Sequence, residues 1–137
     1  MVKEYVEAVT LRDRLAAELR ALLGASVRAR LIRCGRSVCA CAKDPRKMHG
    51  PYLYVRYLDE NGVKRERYLP PEFVPRGIDA ARFQKLKQDY LEAAHRAHLL
   101  RVELKEQGID PDQLIREKRR EQLREVFRTQ PTPTVHG

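Results

Sequence analysis

Tryptophan is absent from this chain, and only 7% of its residues are aromatic. So few large rings limit any core to aliphatic side chains and small aromatic clusters. No run of about 18 apolar residues occurs, which excludes a membrane-spanning helix. The opening "MVKEYVEAVTLRDRL" has no basic segment followed by an apolar one, so no secretory leader is expected. Cysteines number three, an odd and clustered set that argues against a disulfide framework and for thiolates in a reducing cytoplasm. Also missing are a Gly-rich phosphate loop, GxSxG, HExxH and the carboxylate clusters of two-metal chemistry. The expectation is a cytoplasmic protein, with association to the nucleoid left open, that is not an enzyme.

What the chain has is positive charge in one place. Its 137 residues suit one domain with helical appendages, and its net charge is +9. Residues 28–76 hold twelve Lys/Arg against five Asp/Glu, a net +7, whereas residues 1–27 balance four against four. Evenly spread charge would mean little beyond solubility; a focused basic field points to a polyanionic partner.

The pattern of apolar residues predicts an α+β, mainly helical fold. Ala8, Leu11, Leu15, Leu19 and Leu22 recur at steps of three and four, predicting a first helix that Gly24 terminates. "SVRARLIR" then alternates as a strand, and "PYLYVRYL" and "VKRERYL" flank "DENG" as a hairpin. Asn61-Gly62 suits a turn in which both residues take positive φ. The alternation puts arginines among tyrosines on one hairpin face. After the connector "PPEFVPRG", Asp79 opens a helix over about 80–107. Phe83, Leu86, Tyr90, Ala93, Ala97, Leu100 and Leu104 make a heptad seam along it. An antiparallel helical pair over 1–108 is expected, with a module at about 27–70 inserted between its arms. Asp110, Pro111 and Gln113 announce a further helix, 109–129, with Gln113 completing a capping box. Its polar middle leaves half of it nothing to pack on, and the Pro/Thr-rich 130–137 is expected to be disordered. His95 and His98 are expected to be solvated or edge-packed.

The chemistry gathers at Cys34, Cys39, Cys41 and His49, spaced C-x4-C-x-C-x7-H. Zinc takes four such donors in a tetrahedron, and Cys3His is a structural set that leaves no position for substrate. Gly35 lets the chain turn after the first ligand. Arg33, Arg36 and Lys43 would favour the thiolate form. The Gly50-Pro51 turn would aim the His49 ring back before the strand begins. A redox switch, an unligated buried thiol set, and a His49 that is only a loop residue are the alternatives.

Around this cluster stand Arg28, Arg30, Arg33, Arg36, Lys43, Arg46, Lys47, Tyr54, Arg56, Lys64, Arg65 and Arg67, the candidate nucleic-acid contacts. Arginine and lysine neutralise phosphates, tyrosine stacks on bases, and a two-stranded ribbon enters a major groove. The competing reading is a hairpin whose tyrosines pack on the helices while its arginines are merely solvated or blunt an edge strand. On the last helix, Arg116, Lys118, Arg119, Arg120 and Arg124 alternate with Glu117, Glu121 and Glu125. Intrahelical pairs, or a face for a partner or a second copy, explain them as well as DNA does.

The stretch "RCGRSVCACAKDPRKMHGPYLYVRYLDENGVKRERYLP" resembles a family of small bacterial and archaeal proteins of unknown function. Cys34, Gly35, Arg36, Cys39, Cys41 and Ala42 match its C-G-[KR]-x-x-C-x-C-A element. His49, Gly50, Pro51, Tyr52 and Tyr54 match H-G-P-Y-x-Y, and Tyr68, Leu69 and Pro70 match its closing element. The resemblance implies accessory proteins of mobile elements, and hence DNA transactions. Together these readings predict a DNA-binding protein, DNA favoured over RNA, with a structural Zn2+ bracing a basic hairpin. A protein–protein adaptor of a recombination or transcription assembly is the rival.

Overall fold

In the computed structural model, which describes residues 1–129, α1 spans Val2–Leu23 and stops where Gly24 turns left-handed at φ 71°. The Gly24 N–H returns to the Arg20 carbonyl, satisfying an acceptor that the helix end would otherwise leave bare. The chain reverses into β1 (Ser26–Ile32), passes through the cysteine loop, and continues as β2 (His49–Leu58) and β3 (Lys64–Tyr68). The three strands form one antiparallel sheet in the order β1-β2-β3. Asp79 caps α2 (Ala80–Glu106) by accepting from the Arg82 N–H, and α3 (Pro111–Thr129) follows a stop at Gly108. The fold is α+β and mainly helical, as the sequence predicts. The expected disordered tail, 130–137, lies outside the described residues.

α1 and α2 run antiparallel, and the apolar residues between them fall into two groups. Leu15, Leu19, Phe83, Tyr90 and Ala93 close over Leu53 and Leu69 of the sheet. Tyr5, Ala8, Val9, Ala97 and Leu104 form the other group, on which Leu114 and Ile115 of α3 pack. Phe83, Leu19 and Leu104 are completely buried, and each such side chain contributes about 1.5–3 kcal/mol by leaving water. The predicted stripe of α1 needs one correction. Leu11 is exposed, while Tyr5 and Val9 are buried in its place. Leu11 stands one residue short of the three–four rhythm set by Tyr5, Ala8, Leu15 and Leu19, and the position that keeps that rhythm is Arg12.

Two turn assignments also change. Among the described residues none other than glycine has positive φ, so Asn61 does not share a left-handed turn with Gly62. Asp59 builds the turn instead: its Oδ1 accepts from the N–H groups of Asn61 and Val63, and its Oδ2 from Arg65 Nε at 2.8 Å. Gln113 does not complete a capping box; its side chain donates to Glu117 one turn on. Asp110 does cap, accepting from the Asp112 N–H at 3.0 Å. On α2, Lys87 is buried off the predicted seam and donates to the Pro71 carbonyl at 2.9 Å, pinning the proline connector to the helix. Burial pushes its pKa down.

Candidate metal centre and basic sheet

Cys34 lies two residues past the end of β1, and His49 is the first residue of β2, so two ligands come from beside neighbouring strand ends. His49 was expected in a turn ahead of the strand; it is instead paired in the sheet, opposite Ile32. The pairing shifts by one residue between Arg30↔Tyr52 and Ile32↔His49, which leaves Gly50-Pro51 as a bulge on β2. Such a bulge re-aims the flanking side chain. Gly50 is required there twice over. Its φ is 106°, and a Cβ on it would sit 2.9 Å from the Arg30 carbonyl oxygen.

Between the strands, Ala40–Ala42 and Pro45–Lys47 each make a single 3-10 turn, and Gly35 turns left-handed just after Cys34. These turns bring the four donor atoms within 4.8 Å of one another. Cys34 Sγ lies 3.5 Å from Cys41 Sγ, and Cys39 Sγ lies 3.4 Å from His49 Nε2. Around a tetrahedral ion with zinc–ligand lengths, the corresponding edges are about 3.8 Å and 3.6 Å. Two of the donor–donor distances are thus close to those a tetrahedral ion requires, and these four side chains could hold one. Cys41 is fully buried and accepts the Cys34 backbone N–H at 3.4 Å, an N–H···S bond that favours thiolate.

The thiols differ in their acidity. The Cys41 N–H, then the Cys41, His49 and Cys34 side chains, bring the Cys39 thiol down to about 6. The Cys34 N–H also pulls Cys41 down, but burial and the adjoining Cys39 and Cys34 sulfurs outweigh it, and Cys41 ends above the ordinary thiol value. Hydrogen bonds, and not the nearby Arg33, Arg36 and Lys43, account for the low value at Cys39. Arg33 instead turns its guanidinium to the Ala42 carbonyl, at 3.4 Å.

The loop is also fastened to α2. His98 Nε2 donates to the Pro45 carbonyl at 2.8 Å, and Arg46 forms a two-pronged ion pair with Glu106. His98 is thus an edge-packed histidine with a definite partner.

The sheet separates the candidate nucleic-acid contacts. Register places Arg28, Arg30, Tyr52, Tyr54, Arg56, Lys64, Glu66 and Tyr68 on one face. Arg65 and Arg67 alternate with them and share the opposite face with Tyr57, beyond the part that Leu53 and Val55 turn to the core. The interleaving of arginine and tyrosine is therefore split between two faces. On the first face Glu66 stands among three cations: Arg30 at 3.2 Å, Arg56 at 3.5 Å and Arg28 at 3.7 Å. Tyr68 packs on Tyr52 and Tyr54 with centroids 5.9 and 5.6 Å away, and Arg30 covers the Tyr54 ring at 5.1 Å. These rings pack mainly on their neighbours. Arg36, Lys43 and Lys47 are exposed on the cysteine loop.

A family model described as Domain of unknown function (DUF6788) matches residues 5–77. The chain belongs to that family. No curated protein and no solved structure matches it. The DUF6788 span takes in most of α1, the whole sheet, all four ligands and the proline connector. It stops before α2 and α3, so His98 and Glu106, which hold the cysteine loop, lie outside it. Sequence reasoning missed both as tethers, because each meets its partner more than fifty residues away and no local spacing announces the contact. Among the described residues no helix is long and apolar enough to cross a membrane.

Proposed function

We propose that this DUF6788 protein binds nucleic acid, DNA in preference to RNA, without catalysing a reaction, and that a structural zinc ion braces its basic sheet. The observation that carries the reading is the Cys3His cluster, built beside the ends of β1 and β2, the strands that bear Arg28, Arg30 and Arg56. Three thiolates and an imidazole suit zinc, which has no geometric preference of its own and accepts a tetrahedron of such donors. Bound there, the metal would order a loop with little apolar surface, and binding energy would become folding energy. The focused +7 of residues 28–76 supplies the attraction to phosphate. The mobile-element association implied by the sequence resemblance fits such a role.

The test has two arms. Elemental analysis of untagged protein should return zinc, and chelation should loosen the sheet by circular dichroism. Binding to labelled oligonucleotides should weaken steeply with salt, and reversing Arg65 and Arg67 together should flatten that dependence. A metal-free chain whose fold ignores chelator would sink the first half; no affinity for DNA or RNA at moderate salt would sink the second.

One observation favours an adaptor as a second reading. Leu123, Val126 and Phe127, near the end of α3, are 58%, 48% and 73% exposed, an apolar strip suited to a protein partner. Capture of a protein, with no affinity for nucleic acid, would select it.

A further inference from the structure

The two apolar groups between α1 and α2 do not join, and the place where they part is occupied by arginine. Tyr5, Ala8, Arg12, Leu15, Leu19 and Leu22 are spaced by three and four in strict alternation, so Arg12 holds a seam position of α1. A charged residue at a seam costs stability, because its neighbours lose an apolar partner. From α2, Tyr90, Ala94, Ala97, His98 and Arg101 face the same space. The result is a groove of about 570 Å³ along the outer edge of β1, walled by both helices.

Arg12, Arg28, Arg30, Arg56, Arg101 and His98 line this groove, and none of its lining residues is acidic. The carboxylates that balance these arginines, namely Asp13, Glu66 and Asp112, stand outside it. The groove is therefore lined by arginines whose counter-charges stand beyond its walls. Because β1 is an edge strand, an added peptide strand is the first occupant to consider. Tyr90 of α2 stands against the Ala29 backbone, which obstructs a continuous ladder at the middle of β1. The rings beside the groove, Tyr5 and Tyr90, are buried to 3% and 4% exposure, so neither offers a face to a base.

From these features we infer that the groove along β1 is a phosphate-backbone site, in which Arg12, Arg28, Arg56 and Arg101 hold consecutive phosphates of a nucleic-acid strand without reading its bases. The inference rests on the nucleic-acid reading above and moves the main contact from the hairpin to the junction of sheet and helices. It also explains the seam: Arg12 keeps charge at a position that a leucine would fill with gain in stability.

The test uses the metal-loaded full chain and fluorescence anisotropy of labelled oligothymidylate and of a mixed-sequence strand across a salt series. Arg12→Leu should melt higher than the parent yet bind roughly three- to tenfold more weakly, with a salt slope shallower by about 0.7. Arg28→Gln, which leaves the seam alone, should weaken binding similarly, whereas Lys85→Gln, equal in charge but remote on α2, should not. Both oligonucleotides should bind alike. If the parent binds but Arg12→Leu and Arg28→Gln bind as tightly, the groove is not the site and the hairpin reading stands. If the parent binds neither oligonucleotide, the groove inference fails; if it also binds neither duplex DNA nor RNA, the nucleic-acid reading fails with it. Tighter binding of polyglutamate than of either oligonucleotide would overturn the inference in favour of an acidic peptide.

Discussion

His98 Nε2 lies 2.8 Å from the carbonyl oxygen of Pro45, joining the middle of α2 to the loop that carries the metal ligands. A carbonyl only accepts, so the ring is held in the tautomer with hydrogen on Nε2. His98→Ala leaves that carbonyl without its partner and should cost about 1–2 kcal/mol. The loop would still have its ligands but would open more often. Transfer of zinc to a chromogenic chelator should run several-fold faster in the variant, and an unchanged rate would show that α2 does not steady the loop.

Gly50 supports the same site from the strand side. Gly50→Ala forces a Cβ toward the Arg30 carbonyl at 2.9 Å from a backbone that alanine adopts poorly. Relief requires shifting the bulge, and with it His49. Metal affinity should fall by an order of magnitude or more (about 10-fold), read by competition with a calibrated chelator. Gly62→Ala, with open space around its Cβ but a similarly positive φ, should lower stability and spare metal affinity.

Glu66 gives a prediction of opposite sign. It sits among Arg28, Arg30 and Arg56 and neutralises part of the face they form. Glu66→Gln keeps the shape and removes the charge. Oligonucleotide affinity should rise a few-fold and its salt dependence should steepen by about 0.7–0.9 in slope. Weaker binding would mean that the carboxylate organises the arginines for contact.

Acid should release α3 before it opens the rest of the helical pair. The Arg101 guanidinium, 2.6 Å from Asp112, holds that carboxyl below its ordinary 3.8. A carboxylate depressed on folding adds stability that is full above the unfolded value and is lost as pH falls through the folded one. Hydrogen exchange along α3 should therefore accelerate as pH drops below about 3.8, and Asp112→Asn should show fast exchange already at neutral pH.

Much of this architecture can be read from local patterns. Gly24, Asp79 and Gly108 mark helix ends because capping depends on one or two residues, and the Cys3His spacing announces itself over residues 34–49. What escapes the sequence is long-range. Glu66 looks like one more charge in "VKRERYL" until pairing sets it opposite Arg56 and near Arg28 and Arg30. Lys87 looks solvated until the connector folds its Pro71 carbonyl against it. Leu11 was misplaced for a related reason: leucine outranks arginine on any hydrophobic scale, and only the packed seam reveals that Arg12 holds the position.

The separation of core partners along the chain bears on how the protein is made. Leu19 belongs to the same core as Phe83, and Tyr5 to the same core as Leu104, so neither core can close until α2 has left the ribosome. The four metal ligands lie close in sequence and need only a short loop to meet. During synthesis the ion would thus be captured first, and the nascent β1–β2 pairing would wait, already clasped at one end, for the helix that covers it.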